Sequence, residues 1–157
     1  MTHTELKVSA IENGTVIDHI AAEDLFKVIK ILSLDQHNDL ILFGSNLESR
    51  KMGKKAIVKI ANKFFEKDDI DKISIIAPTA TLTIIKDYKI AEKRDLDIPD
   101  TIHKFIKCLN PNCVTNKENV STKFTVISKE PNNVKLRCHY CEKTTSEANM
   151  KFNLSDI

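Results

Sequence analysis

Glycine is scarce in this 157-residue chain and tryptophan is absent: there are three glycines and no tryptophan. Gly14, Gly44 and Gly53 all fall early, and no two lie close enough to build a phosphate loop. Neither a GxGxxG fingerprint nor a P-loop can therefore be written anywhere in the chain. No apolar run approaches the roughly 20 residues of a spanning helix, and MTHTELKVSA has no signal-peptide pattern. Charge of one sign is lacking too. The 24 Lys+Arg and 22 Asp+Glu leave a formal +2, which argues against a general electrostatic grip on nucleic acid or an anionic membrane. What is present, 41% hydrophobic and 29% charged residues, is enough for a packed core and excludes disorder as the overall class. The length fits one ordinary domain or two small ones, and a cytoplasmic protein is expected.

Cysteine divides the chain. Cys108, Cys113, Cys138 and Cys141 all follow a polar stretch, AEKRDLDIPDT, in which Pro99 imposes an extended or turned backbone. A boundary is expected there, giving domains over residues 1–98 and 99–157. Charge supports the division, because the first 100 residues sum to −2 and the last 57 to +4.

In the first unit, residues 6–10 and 15–20 read as strands. Leu25, Val28, Ile29 and Leu32 repeat at helical spacing, so residues 22–34 should form an amphipathic helix. Residues 40–43 and 56–60 read as strands, and the segment between them, 44–55, as a turn-rich connection. Asp68, Asp69 and Asp71 open a second helix whose apolar face runs through Ile70, Ile73 and Ile76 or Ala77 until Pro78 stops it. Residues 81–85 and 88–91 are β-rich again. This order predicts an α+β fold, ferredoxin-like, with two helices on one face of a mainly antiparallel sheet. The second unit reads as small and all-β, with strands over 102–107, 124–128 and 134–137 and a turn at 131–133. Residues 146–152 form a short helix or a last strand. So thin a core is expected to need a staple.

The cysteine spacing supplies one. Cys108-x4-Cys113 and Cys138-x2-Cys141 are separated by 24 residues, and each pair fits a tight knuckle. Four thiolates suit tetrahedral zinc at Zn–S distances of about 2.3 Å, leaving no open position for a substrate or water. Zinc here is structural. Two disulfides would need an oxidising compartment that nothing in the sequence indicates, and iron could use the same four thiolates. His139, between the last two cysteines, is a competing ligand or a neighbour of the cluster.

Three features of the first unit invite a ligand. Asp18-His19 ends an apolar strand and reads as either a polar strand end or a contact pair. Lys59, set in Ile57-Val58-Lys59-Ile60, either snorkels from an exposed face or lines an anion pocket. Tyr88 to Lys93 reads as an exposed edge or a binding strand.

Together these residues add up to a family. Gly14-Thr-Val-Ile-Asp-His-Ile20, Asn46-Leu47, Met52-Gly53, Lys59-Ile60, Ala77-Pro78-x-Ala80-Thr81 and the two cysteine knuckles make the chain resemble the regulatory chains of aspartate carbamoyltransferase over nearly its whole length. The resemblance implies a non-catalytic subunit in pyrimidine biosynthesis. Its N-terminal domain would bind nucleoside triphosphates (CTP, UTP, ATP). Its zinc domain would dock on the catalytic chain, and homodimers of the regulatory chain would bridge catalytic trimers in a dodecamer. Carried over by position, the nucleotide-binding residues are Ala10, Ile11, Asp18, His19, Lys59, Thr83, Ile85, Tyr88, Ile90 and Lys93. Lys59 and Lys93 would face phosphates, main-chain groups near Ala10, Ile11 and Tyr88 the base, and Asp18 and His19 the ribose or phosphate end. Thr83 stands where the family commonly has asparagine, so effector preference does not carry over. The alternative is a zinc-ribbon protein that binds nucleic acid, supported by the +4 of the last 57 residues. Four thiolates and one zinc ion together contribute −2, which lowers that unit to about +2.

Overall fold

A computed structural model describes residues 9–153, which fall into two compact units dividing between Asp97 and Ile98. The strand expected over residues 6–10 lies mostly outside the described residues; Ser9 and Ala10 are not in a strand.

The first unit runs β1 (Gly14–Ala21), α1 (Leu25–Ile31), β2 (Ile41–Ser49), β3 (Gly53–Ala61), α2 (Lys67–Ile76), β4 (Thr81–Lys86) and β5 (Lys89–Asp95). The sheet order is β2-β3-β1-β4-β5, with every neighbouring pair antiparallel. The βαββαβ succession with β1 and β3 at the centre is the ferredoxin-like arrangement, here extended by β5. One face of the sheet is apolar. Ile17, Ile20, Ala56, Val58, Ile60 and Leu82 are buried there with Leu25, Val28 and Ile31 of α1 and Ile73 and Ile76 of α2. Leu25 and Val28 of the predicted apolar stripe are buried, whereas Ile29 and Leu32 are half-buried and Ile31 takes the third buried position; the α-helix proper is shorter than residues 22–34 and is flanked by 3-10 turns.

Two differences from the sequence reading matter. Residues 44–55 form mainly strand: β2 and β3 make one long hairpin closed at residues 50–52. The segment reads as turn-rich, but Asn46 adopts φ 58° at a bulge within β2 and leaves the pairing intact beyond it. The last hairpin turns at Asp87 and Tyr88, both left-handed, so β5 begins at Lys89. Gly14 is needed for a different reason. It has φ 143°, and a Cβ there would run into the carbonyl of Ile60 on β3.

The second unit contains β6 (Thr101–His103), a short helix α3 (Val114–Lys117), β7 (Lys123–Glu130), β8 (Asn133–Cys138) and β9 (Thr144–Ser146). They form an antiparallel sheet in the order β6-β7-β8-β9. The unit is thus β-rich rather than wholly β, and the strand expected over 102–107 ends at His103. Its apolar core is small: Ile102, Phe105, Ile106, Phe124, Val134 and Leu136, with three of the cysteines packed beside them.

Candidate effector face and metal centre

Directly opposed residues of an antiparallel pair project to the same face of the sheet. On the face away from the helices, one rung crosses all five strands: Leu42, Lys59, Val16, Thr83 and Lys93. The rung on one side pairs Gly14 with Ile85 and Ile85 with Ile90. On the other side, Thr81 pairs with both Asp18 and Asp95. Sequence positions separated by up to 77 residues are therefore aligned as three neighbouring rows.

At the Ile85 end, the segment before β1 is tied to the β4–β5 turn. The Tyr88 N–H donates to the Glu12 carbonyl at 2.9 Å, and the Asp87 N–H donates to Asn13 Oδ1 at 3.1 Å. Ile85 pairs with Ile90 at this end, Tyr88 sits in the adjoining turn, and Ala10 and Ile11 immediately precede the tied residues Glu12 and Asn13. Ile11 is buried, whereas Tyr88 and Ile90 are 67% and 64% exposed.

At the opposite end, Asp18 and His19 share a bulge in which the two residues oppose Ile57 alone. The bulge places His19 at φ 57°, and its main-chain N–H donates to its neighbour's Asp18 Oδ1 at 2.6 Å. The His19 ring Nδ1 lies 3.1 Å from the Thr81 hydroxyl, and its carbonyl accepts from Thr79 at 2.8 Å. Burial pushes the Asp18 carboxyl up, but hydrogen bonds from Lys55 and the His19 N–H, with their charges, leave it below the usual value. Burial lowers the ammonium of Lys59, and the charge of Asp18 opposes that shift.

Lys55 is the residue the sequence reading missed. Its Nζ sits 2.8 Å from Asp18 Oδ1. Lys55, Ile57 and Lys59 alternate with the buried Ala56, Val58 and Ile60, so the period of two was there to be read. Assigning Lys55 to a turn concealed it.

In the second unit, the four cysteine sulfurs all lie within 4.8 Å of one another. The distances are 3.6 Å for Cys108 to Cys141 and 3.7 Å for Cys113 to Cys138. Those exceed a disulfide bond of about 2.05 Å. They match the roughly 3.8 Å that separates sulfurs around a tetrahedral zinc ion with bonds of about 2.3 Å. Both knuckles are built by local hydrogen bonding. In the first, the Cys113 N–H donates to the Asn110 carbonyl, while the Asn116 amide donates to the carbonyls of Cys108 and Asn110. In the second, Cys138 and Lys143 close a turn in which Glu142 takes φ 64°. His139 is exposed, packs edge to face against Tyr140 at 5.0 Å and lies outside the sulfur cluster.

Burial pushes the Cys108 thiol up to about 12 and also raises Cys138, despite main-chain N–H donors at each sulfur. At Cys141 burial acts the same way, but the Lys143 N–H, the Asn110 side chain and neighbouring thiols bring it down to about 7. A metal ion reverses the penalty by holding all four as thiolates. The donor set fits one structural zinc ion, which cross-links both knuckles. Such a site contributes on the order of 10–16 kcal/mol to folding.

Among the described residues no helix is long and apolar enough to cross a membrane. The family model for the allosteric domain of the aspartate carbamoyltransferase regulatory chain matches residues 6–97, and the model for its metal-binding domain matches residues 100–151. The regulatory chain of Thermococcus onnurineus is 53% identical over 151 residues, covering 96% of this chain and 99% of the relative. That of Pyrococcus furiosus is 51% identical over 152 residues, with the same coverage. The Bacteroides thetaiotaomicron chain is 49% identical over 138 residues, covering 88% and 89%.

Proposed function

The chain belongs to the aspartate carbamoyltransferase regulatory-chain family, and from that premise we propose that it binds nucleoside triphosphates on the helix-free face of its first sheet. The chain is a regulatory, non-catalytic subunit. In this reading residues 1–98 form the effector domain, and residues 99–157 form the zinc domain that docks on the catalytic chain. Cys108, Cys113, Cys138 and Cys141 are the zinc ligands. Regulatory homodimers join catalytic trimers into a dodecamer in the cytoplasm.

The observation that carries the reading is the rung Lys59–Val16–Thr83–Lys93. It sets two ammonium groups and a hydroxyl between an apolar end, at Tyr88 and Ile90, and the Asp18–His19 bulge. A phosphate chain lies over the lysines while the base rests at the apolar end, where main-chain groups near Ala10, Ile11 and Tyr88 read it. Lys55 is a third cation within reach, poised on Asp18. Charge-assisted contacts of this kind replace the glycine loop that the sequence lacks.

Regulation then follows from linkage. A bound nucleotide shifts the assembly only by its differential affinity for two quaternary states, typically about 1–3 kcal/mol of coupling. Calorimetric titration of the zinc-loaded full-length chain with CTP, UTP and ATP tests the site. Saturable binding with one nucleotide per chain is expected, and the absence of any heat or competition would overturn the reading.

A further inference from the structure

Cys108 receives a main-chain N–H from Asn110, Cys138 from Tyr140 and Cys141, and Cys141 from Lys143. Cys113 has a side-chain donor. Its Sγ accepts from the side-chain hydroxyl of Thr115 at 3.3 Å. Cys113 is only 1% exposed, so bulk water has little access to the charge that builds on its sulfur. The turn bearing Thr115 is itself pinned. The Asn116 N–H donates to the Cys113 carbonyl at 2.9 Å, and the Asn116 amide bridges the Cys108 and Asn110 carbonyls at 2.8 and 2.7 Å.

We infer that Thr115 is a positioning residue of the metal centre, whose hydroxyl stabilises the buried Cys113 thiolate and so sets how tightly the ion is held. A zinc tetrathiolate carries a net −2, and a buried charge is costly unless hydrogen-bonded. The hydroxyl supplies that bond in place of water. Asn116 holds the turn so that the donor stays aimed. Outer groups that orient metal ligands commonly account for 10- to 100-fold in metal affinity.

The test compares Thr115→Val, which keeps the shape and loses the hydroxyl, with Thr115→Ser, which keeps the hydroxyl and loses a methyl. Zinc affinity of the full-length chain is read by competition with a chromogenic chelator. A second readout is the sulfur-to-metal charge-transfer band of the cobalt(II)-loaded chain. T115V should bind zinc about tenfold more weakly, and its band should move to lower energy because the Cys113 sulfur has lost a donor. T115S should stay within about twofold of the parent in affinity and keep the band. If T115V fails to take up metal while T115S loads normally, the hydroxyl is again identified as the cause. The inference is overturned if T115V matches the parent in both readouts, or if T115S is impaired as severely as T115V.

Discussion

Lys55 donates from its ammonium to the carboxylate of Asp18 at 2.8 Å, joining β3 to β1 at the bulge that also turns His19 out of regular strand geometry. The pair places a carboxylate between two lysines, because the charge of Asp18 also acts on Lys59. In the proposed site, an incoming phosphate would meet a charged array already ordered by the sheet and would compete with Asp18 for Lys55.

Replacing Lys59 with alanine is expected to weaken nucleoside triphosphate binding by about tenfold or more, the loss of a charge-assisted contact. Lys93→Ala should act in the same direction, since both lie on one rung. Calorimetry on the zinc-loaded variants measures this, and an unchanged affinity for Lys59→Ala would remove that side chain from the site.

Asp18 also gives a pH signature. Its folded-state value lies below the ordinary 3.8, so its contribution to stability is present above 3.8 and is lost as pH falls through the folded value. Asp18→Asn should cost up to about 1 kcal/mol at pH 7, given the partial exposure of the pair. The gap between variant and parent should close as the pH drops below the folded value. Denaturant midpoints at pH 7, 4 and 2.5 measure this; a constant gap would contradict it.

Cys113→Ala removes one of the four clustered sulfurs and should abolish stoichiometric zinc retention and unfold most of the second unit. Assembly with the catalytic chain should fail for the same reason. Atomic absorption and sedimentation measure the two outcomes. A variant that still assembles normally would refute the structural role of the metal.

Gly14→Ala should destabilise the first unit by about 3 kcal/mol, because φ 143° and the Ile60 carbonyl both exclude a side chain there. Chemical denaturation followed by circular dichroism measures the cost. A loss below about 0.5 kcal/mol, ordinary for a surface change, would count against the close approach of β1 and β3.

Periodicity and spacing made some of this molecule legible from its residues alone. Ile70, Ile73 and Ile76 mark α2 because a helix repeats every 3.6 residues, and the cysteine pairs mark a four-sulfur site because the knuckles that hold them are local. The turn expected over residues 131–133 is likewise local and occupies 131–132, with Asn133 opening β8. Residues 44–55 were not legible in this way. Turn-forming side chains there are accommodated by a bulge and a tight hairpin end, and pairing to β3 outweighs their local preference. Likewise, nothing in the sequence places Thr83 between Val16 and Lys93, or Lys55 against Asp18. Those relations depend on strand register. A slip of one residue would send every side chain of a strand to the opposite face, and the packing of the apolar face against α1 and α2, with the tight turn at Asp87 and Tyr88 that joins the exposed β5 to β4, selects the register that brings both lysines into one row.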